Sequence, residues 1–137
     1  MELSASLKYV MMRAQAEAYA AKYKGNPTVE FVFLGLLKLA EVQADAFAPG
    51  SRHMKELNAD IEAVKQKFAL AGIDTGRTRS LLRALLLSGA TPSGDDAISE
   101  RLSVAVGLAQ ARGESDLWAQ DLLSSILSKP TDTILQV

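Results

Sequence analysis

This chain contains two sequence patterns that each occur twice, and the repetition limits the folds that it can adopt. One pattern recurs after ninety-five positions, from Leu3 to Ile98, and a second recurs after ninety, from Val29 to Ala119. The first is Leu3-Ser4-x-x-Leu7-x-x-Val10-x-x-x-Ala14-Gln15-Ala16, repeated as Ile98-Ser99-x-x-Leu102-x-x-Ala105-x-x-x-Ala109-Gln110-Ala111, and the second is 29–37, repeated as 119–127. Such recurrence indicates one structural unit used twice. The difference of five positions predicts a longer connecting loop in the first copy.

Composition excludes several classes of protein. The 137 residues are 48% hydrophobic, which suits one domain with a sizeable core. A formal net charge of -1 argues against binding to nucleic acid or to an anionic membrane surface. Without cysteine there are no disulfides and no thiolate metal sites, and the N-terminus lacks the features of a signal peptide. Because no apolar run reaches the roughly 20 residues of a membrane span, we expect a cytoplasmic domain.

Apolar residues at helical spacing predict an all-α fold. The predicted helices cover 4–23, 28–41, two segments between 61 and 87 that are separated at Gly72, 97–112, 117–128, and a last helix capped by Asp132. The breaker-rich stretch 41–58 is predicted to be an inserted, exposed loop, and 88–96 a linker. The whole chain, 1–137, is then one domain, a pseudo-twofold orthogonal bundle of about seven to eight helices, with repeat one at 1–87 and repeat two at 97–137.

The order of these elements is similar to that of a known family. The matching positions are Leu3-Ser4, Ala14, Ala18, Gly25, Glu30 and Leu34-Gly35-Leu36, followed by Phe68–Asp74 and Arg79–Leu87. With them the chain resembles the duplicated Clp amino-terminal domain, the accessory module of the Clp AAA+ protein unfoldases. The sequence departs from the family at Phe31, where histidine is usual, and at Gln120-Asp121, where a second Glu-His pair would stand. The resemblance covers nearly the whole chain and indicates a divergent member.

The resemblance implies a function without catalysis in this chain. Domains of this family bind protein substrates and adaptor proteins for an ATP-dependent, homo-hexameric unfoldase, which in some cases works with a peptidase. ATP and Mg²⁺ are then expected only in ATPase modules of a longer chain, and no cofactor or metal is expected here. An alternative within the same fold is a specialised domain that grips one partner of a secretion machine. The alternative from another class is a small helical DNA-binding regulator, although the chain has no basic recognition helix.

Six residues are candidates for contact with a protein partner. They are, in chain order, Ser4, Glu30, Phe31, Ser99, Trp118 and Gln120. Glu30 and Gln120 occupy paired positions of the resemblance, as do the two serines, and the aromatic residues are typical of protein interfaces. Each candidate except Gln120 has a structural alternative. Glu30 would complement the dipole of a helix N-terminus, the serines would cap helices, and the aromatic side chains would belong to the core.

Catalytic and ligand-binding patterns are weak. Gly89-x-x-x-x-Gly94 is followed by Asp95-Asp96, whereas a P-loop needs Lys and then Ser or Thr there to hold phosphate. His53 is the single histidine and lies in the breaker-rich loop, where we expect a solvent-exposed side chain instead of a general base or zinc ligand. The charged residues of 52–67, Asp60 among them, are expected to form a mixed solvated surface. We therefore expect no enzyme in this chain.

Overall fold

Seven helices account for most of the described chain. The structure, a computed structural model, describes residues 2–42, 54–89 and 95–135. Its elements, in order, are β1 (Glu2–Leu3), α1 (Ala5–Ala20), α2 (Val29–Leu39), α3 (Met54–Leu70), α4 (Thr75–Leu87), α5 (Asp95–Ala111), β2 (Asp116–Leu117), α6 (Ala119–Ser128) and α7 (Asp132–Leu135). The predicted all-α bundle is confirmed. None of the described helices has the length and apolar character that crossing a membrane requires.

The two copies of the repeat form corresponding helix pairs. α1 packs against α2, and α5 packs against α6. The sequence predicted a longer loop in the first copy, and this is wrong. The connecting segments, 21–28 and 112–118, are nearly equal in length, whereas α1 continues to Ala20 and α5 ends at Ala111, the counterpart of Ala16. The extra residues therefore add about one turn to α1.

α2 is the central element of the core. All its residues except Lys38 are buried, as expected for a helix that is apolar on nearly every side. α1 crosses α2 so closely that a Cβ atom at Gly35 would lie 2.5 Å from the carbonyl oxygen of Val10. The ring of Phe33 on α2 lies 5.7 Å, centre to centre, from that of Phe68 on α3. Glycine thus permits the close approach of the first helix pair, and an aromatic contact fixes α3 against α2.

Two predicted helix ends, at Ser4 and Gly72, are confirmed, and α4 has a cap that the sequence analysis did not name. The Ser4 hydroxyl caps α1 by accepting a hydrogen bond from the Leu7 amide at 3.2 Å. The Asp74 carboxylate caps α4 in the same way, accepting from the Arg77 amide at 3.2 Å. Gly72 follows α3 with φ at +72°, the left-handed conformation that glycine adopts at little cost.

Two predicted caps are wrong. Ser99 is exposed and lies about one turn inside α5, because that helix begins already at Asp95. Asp132 is the first residue of α7, and the acceptor for the free amide there is the Thr131 hydroxyl, 3.4 Å from the Ile134 nitrogen. In both cases the helix starts earlier than a cap at the favoured residue would allow.

The predicted loop and linker are only partly described. Residues 43–53 lie outside the described residues, and with them most of the predicted insertion at 41–58, including His53. Its last part is helical, because α3 begins at Met54. Of the predicted linker at 88–96, residues 90–94 lie outside the described residues, and α5 begins before the linker was expected to end.

A two-stranded parallel sheet, which the sequence did not predict, joins the beginning of the chain to the second repeat. Glu2 pairs with Asp116 and Leu3 with Leu117, and the Ser4 amide donates to the Leu117 carbonyl oxygen at 2.9 Å. Strands of two residues are too short to show an alternating pattern. The sheet places the start of α1 beside the start of α6.

Candidate functional site

A groove lies between α1 and α4, with residues of α2 between them. It has a volume of about 370 Å³ and is lined by Arg13, Ala16, Glu17, Ala20, Ala21, Phe31, Leu34, Arg83, Leu86 and Leu87. We call it the α1–α4 groove. Each of the two helices contributes residues from successive turns, at 13, 16, 17 and 20 on α1 and at 83, 86 and 87 on α4, so that each presents one face. The groove combines an apolar wall with three charged side chains.

Glu17 is held between two arginines in this groove. Its carboxylate accepts two hydrogen bonds from Arg83, Nε to Oε2 at 3.1 Å and Nη2 to Oε1 at 2.6 Å, and a third from Arg13 Nη2 at 3.1 Å. Glu17 is buried, and hydrogen bonds from charged donors of this kind stabilise a buried carboxyl group. The hydrogen bonds to Glu17 are the main reason why the pKa of Arg83 is raised. Two guanidinium groups against one carboxylate leave the groove with a net positive charge.

A large apolar side chain is exposed in the wall of the groove. Leu87 is 57% exposed. Its exposed surface lies in the same groove as the charged side chains of Arg13, Glu17 and Arg83. Apolar surface bordered by charged groups is typical of a site that contacts another molecule.

A second cluster surrounds Asp60 at the junction of the repeats. The sequence predicted that Asp60 belongs to a solvated surface, and this is wrong, because the side chain is completely buried. Its Oδ2 accepts from the Ser6 hydroxyl and from the Ala119 amide at 3.1 Å, and Oδ1 accepts from the Gln120 amide at 3.1 Å. Burial is the main cause that raises the pKa of Asp60, and these hydrogen bonds oppose the rise.

Asp60 caps α6 from another helix. Trp118 occupies the N-cap position of α6, but its side chain has no acceptor for the free amides at the start of that helix. The carboxylate on α3 supplies the acceptor instead. A sequence signal for this role exists: Asp60 lies in phase with the buried residues Leu57, Ile61 and Val64, so that an acidic residue stands on the apolar face of α3.

The structure brings three of the six candidate residues to the Asp60 cluster. Ser4 is buried there with its hydroxyl hydrogen-bonded inside the cluster, and Gln120 is partly buried. Trp118 is also partly buried, and its indole Nε1–H donates to Glu114 Oε2 at 3.3 Å. These residues form the seam between the repeats.

The other three candidates lie apart from that cluster. Glu30 is buried in the first turn of α2, as the dipole interpretation expects, and accepts from the Thr28 hydroxyl at 3.1 Å. Phe31 is buried as well, with its ring 5.3 Å from that of Tyr23, and it forms part of the α1–α4 groove wall. Ser99 is exposed on α5. The six candidates therefore do not form one site, and the groove that the structure reveals contains only Phe31 of them.

The two clusters differ in what they can do. The α1–α4 groove is open to solvent and offers apolar surface beside positive charge, whereas the Asp60 carboxylate is closed off and engaged by donors from two helices. Within 2–42, 54–89 and 95–135, no three His, Cys, Asp or Glu side chains are placed to hold a metal ion. The groove is therefore the candidate for binding, and the cluster is a structural joint.

A comparison with known proteins found no matching family model, no matching curated protein and no matching solved structure.

Proposed function

We propose that this chain is a non-catalytic protein-binding domain that recruits substrates or adaptor proteins to a Clp-type unfoldase. Two things support the proposal. One is the resemblance of the sequence, with its order of duplicated helices, to the Clp amino-terminal domain. The other, and the decisive one, is the α1–α4 groove, in whose wall the apolar side chain of Leu87 is exposed.

The groove suits a polypeptide ligand better than a small polar one. Phe31, Leu34, Leu86 and Leu87 supply an apolar wall, and the paired charges of Arg13, Glu17 and Arg83 lie beside it. Unfolded or flexible protein segments expose apolar side chains next to backbone polar groups, and a groove of this mixed character can accept both. Its modest volume limits the ligand to a few side chains, so that weak to moderate affinity is expected.

Recruitment of this kind needs no chemistry in the domain itself. Binding raises the effective concentration of a substrate near the motor to which the domain is tethered. In this proposal ATP and Mg²⁺ are bound by ATPase modules outside these residues, the longer protein forms a homo-hexamer in the cytoplasm, and a peptidase is an optional partner. In the alternative, the domain belongs to a secretion-associated Clp ATPase, and the same groove binds a single protein of the secretion machine.

The test is capture of proteins from a cell lysate by the full chain immobilised on beads. Three forms are compared: the unchanged chain, Leu87→Asp in the groove wall, and Leu70→Asp as a matched control. Leu70 is 89% exposed at the end of α3 and does not line the groove, so that its replacement adds the same charge elsewhere. We expect a defined set of proteins to be captured by the unchanged chain and the control, and to be lost with Leu87→Asp.

Two results would contradict the proposal. Equal capture by all three forms would remove the groove from the binding function. Binding of duplex DNA that weakens steeply with salt would favour the DNA-binding alternative, since contacts to phosphate release counterions.

A further inference from the structure

The residues that line the α1–α4 groove indicate which part of a polypeptide would bind there. We propose that it binds the C-terminal residue of a partner protein, with the terminal carboxylate at Arg13 and Arg83 and the last side chain against the apolar wall. This inference rests on the proposed function, because it names the ligand of the same groove.

The lining of the groove carries more positive than negative charge. Among the residues that line the groove, Arg13 and Arg83 are the two cations and Glu17 is the single anion. The Arg83 side chain keeps 38% of its surface exposed and that of Arg13 keeps 32%, although both already bind Glu17. A guanidinium group has five N–H donors, more than these contacts use. The groove is thus prepared to accept one further negative group, and a carboxylate matches guanidinium geometry best.

One arginine of the groove lining has a hydrogen-bond donor without a partner among the described residues. The Nε–H of Arg13 is buried and has no acceptor within the described part of the chain. Buried donors without a partner are rare in folded proteins, and each calls for an explanation. The Arg13 side chain therefore keeps hydrogen-bonding capacity beyond its single contact with Glu17.

The positive charge and the apolar wall of the groove lie close together. Both lie within one groove of about 370 Å³. An acidic residue inside a polypeptide carries its carboxylate on its own side chain and offers no apolar group from the same residue. The C-terminal residue carries an apolar side chain and a carboxylate on one Cα atom. It is therefore the polypeptide group that fills the groove with both kinds of contact at once.

The experiment measures peptide binding to the unchanged full chain by fluorescence polarisation. The probe is a fluorescein-labelled pentapeptide ending in leucine, prepared once with a free C-terminal carboxylate and once with a C-terminal amide. We expect the carboxylate form to bind at least about ten-fold more tightly than the amide form, because only the carboxylate forms charge-assisted hydrogen bonds with the arginines. Arg83→Met should remove this preference, whereas Arg77→Met, an exposed arginine of the same helix outside the groove, should keep it.

The outcomes separate this inference from the proposed function. Equal affinity of the two peptides, or no binding of either, would overturn the C-terminal ligand. Protein capture that still depends on Leu87 would then leave the recruitment proposal standing. The peptide comparison uses the unchanged chain, so it decides the question even where Arg83→Met impairs folding. Helix content and thermal unfolding of each variant, measured by circular dichroism, identify such a case.

Discussion

Replacing Asp60 by alanine tests the most unexpected interaction of the fold. The buried carboxylate accepts hydrogen bonds from the Ser6 hydroxyl and from the Ala119 and Gln120 amides, and so joins α3 to α1 and α6. Asp60→Ala removes both acceptor oxygens, and with them all three hydrogen bonds, at once. Ser6 and Ala119 are completely buried and Gln120 is partly buried, so water has little access to the donors that remain.

The size of the effect follows from two opposing terms. A buried donor without a partner costs about 1–3 kcal/mol, and since the Ser6 hydroxyl can still bond to Ser4, the two amides set a range of about 2–6 kcal/mol. Against this, the variant no longer pays the desolvation cost that raises the pKa of Asp60, and water can enter the space left by the carboxylate. We therefore expect the free energy of unfolding to fall by about 3 kcal/mol, near the lower end of the range.

The assay is urea unfolding followed by circular dichroism and by tryptophan fluorescence. Trp118 is the single tryptophan and directly precedes α6, so its emission reports the helix end that Asp60 caps. Glu62→Ala on the same helix is the matched control, because that carboxylate is exposed and should change stability by less than about 0.5 kcal/mol. If the free energy of unfolding of Asp60→Ala lay within about 1 kcal/mol of that of the unchanged chain, as close as that of the control, Asp60 would not act as a stabilising cap.

Three further predictions concern pH, packing and a buried ion pair. Since burial raises the pKa of Asp60 above its ordinary value of 3.8, the stability of the unchanged chain relative to Asp60→Asn should fall as pH rises from 3.8 through the raised pKa, measured by urea unfolding at several pH values. Gly35→Ala places a Cβ atom 2.5 Å from a backbone oxygen of α1 and should lower the unfolding free energy by about 1–3 kcal/mol, whereas Gly107→Ala, with open space around it, should raise it by about 0.5–1 kcal/mol. Arg112→Met strips the buried Asp121 carboxylate of two hydrogen bonds, at 2.9 and 2.8 Å, and should cost about 1–3 kcal/mol in the same assay.

Each of these has a contradicting result. A stability difference from Asp60→Asn that grows with pH in this interval would mean that the folded state does not hold the proton more tightly. Equal effects of the two glycine substitutions would show that helix propensity outweighs the close helix crossing. An Arg112→Met variant as stable as the unchanged chain would mean that water solvates Asp121 without its arginine.

Sequence periodicity predicted the helices well where their apolar faces are long and regular. The start of α2 was predicted within one residue and that of α6 within two, and the predicted cap at Ser4 comes from a side chain that acts within its own helix. The wrong caps at Ser99 and Asp132 have a common cause. A polar residue near a helix start fits several positions, and only packing decides where the first turn begins.

The fold class, the duplicated helices and the central α2, buried except at Lys38, could be predicted from the sequence, because hydrophobic periodicity and local capping are properties of neighbouring residues. Tertiary packing, in contrast, set which distant groups meet. It buried Asp60 against an α6 that begins about sixty residues later, paired β1 with β2, and formed the α1–α4 groove by placing Glu17 beside Arg83. These contacts join residues far apart along the chain, and their geometry depends on how whole helices cross, which no local pattern specifies.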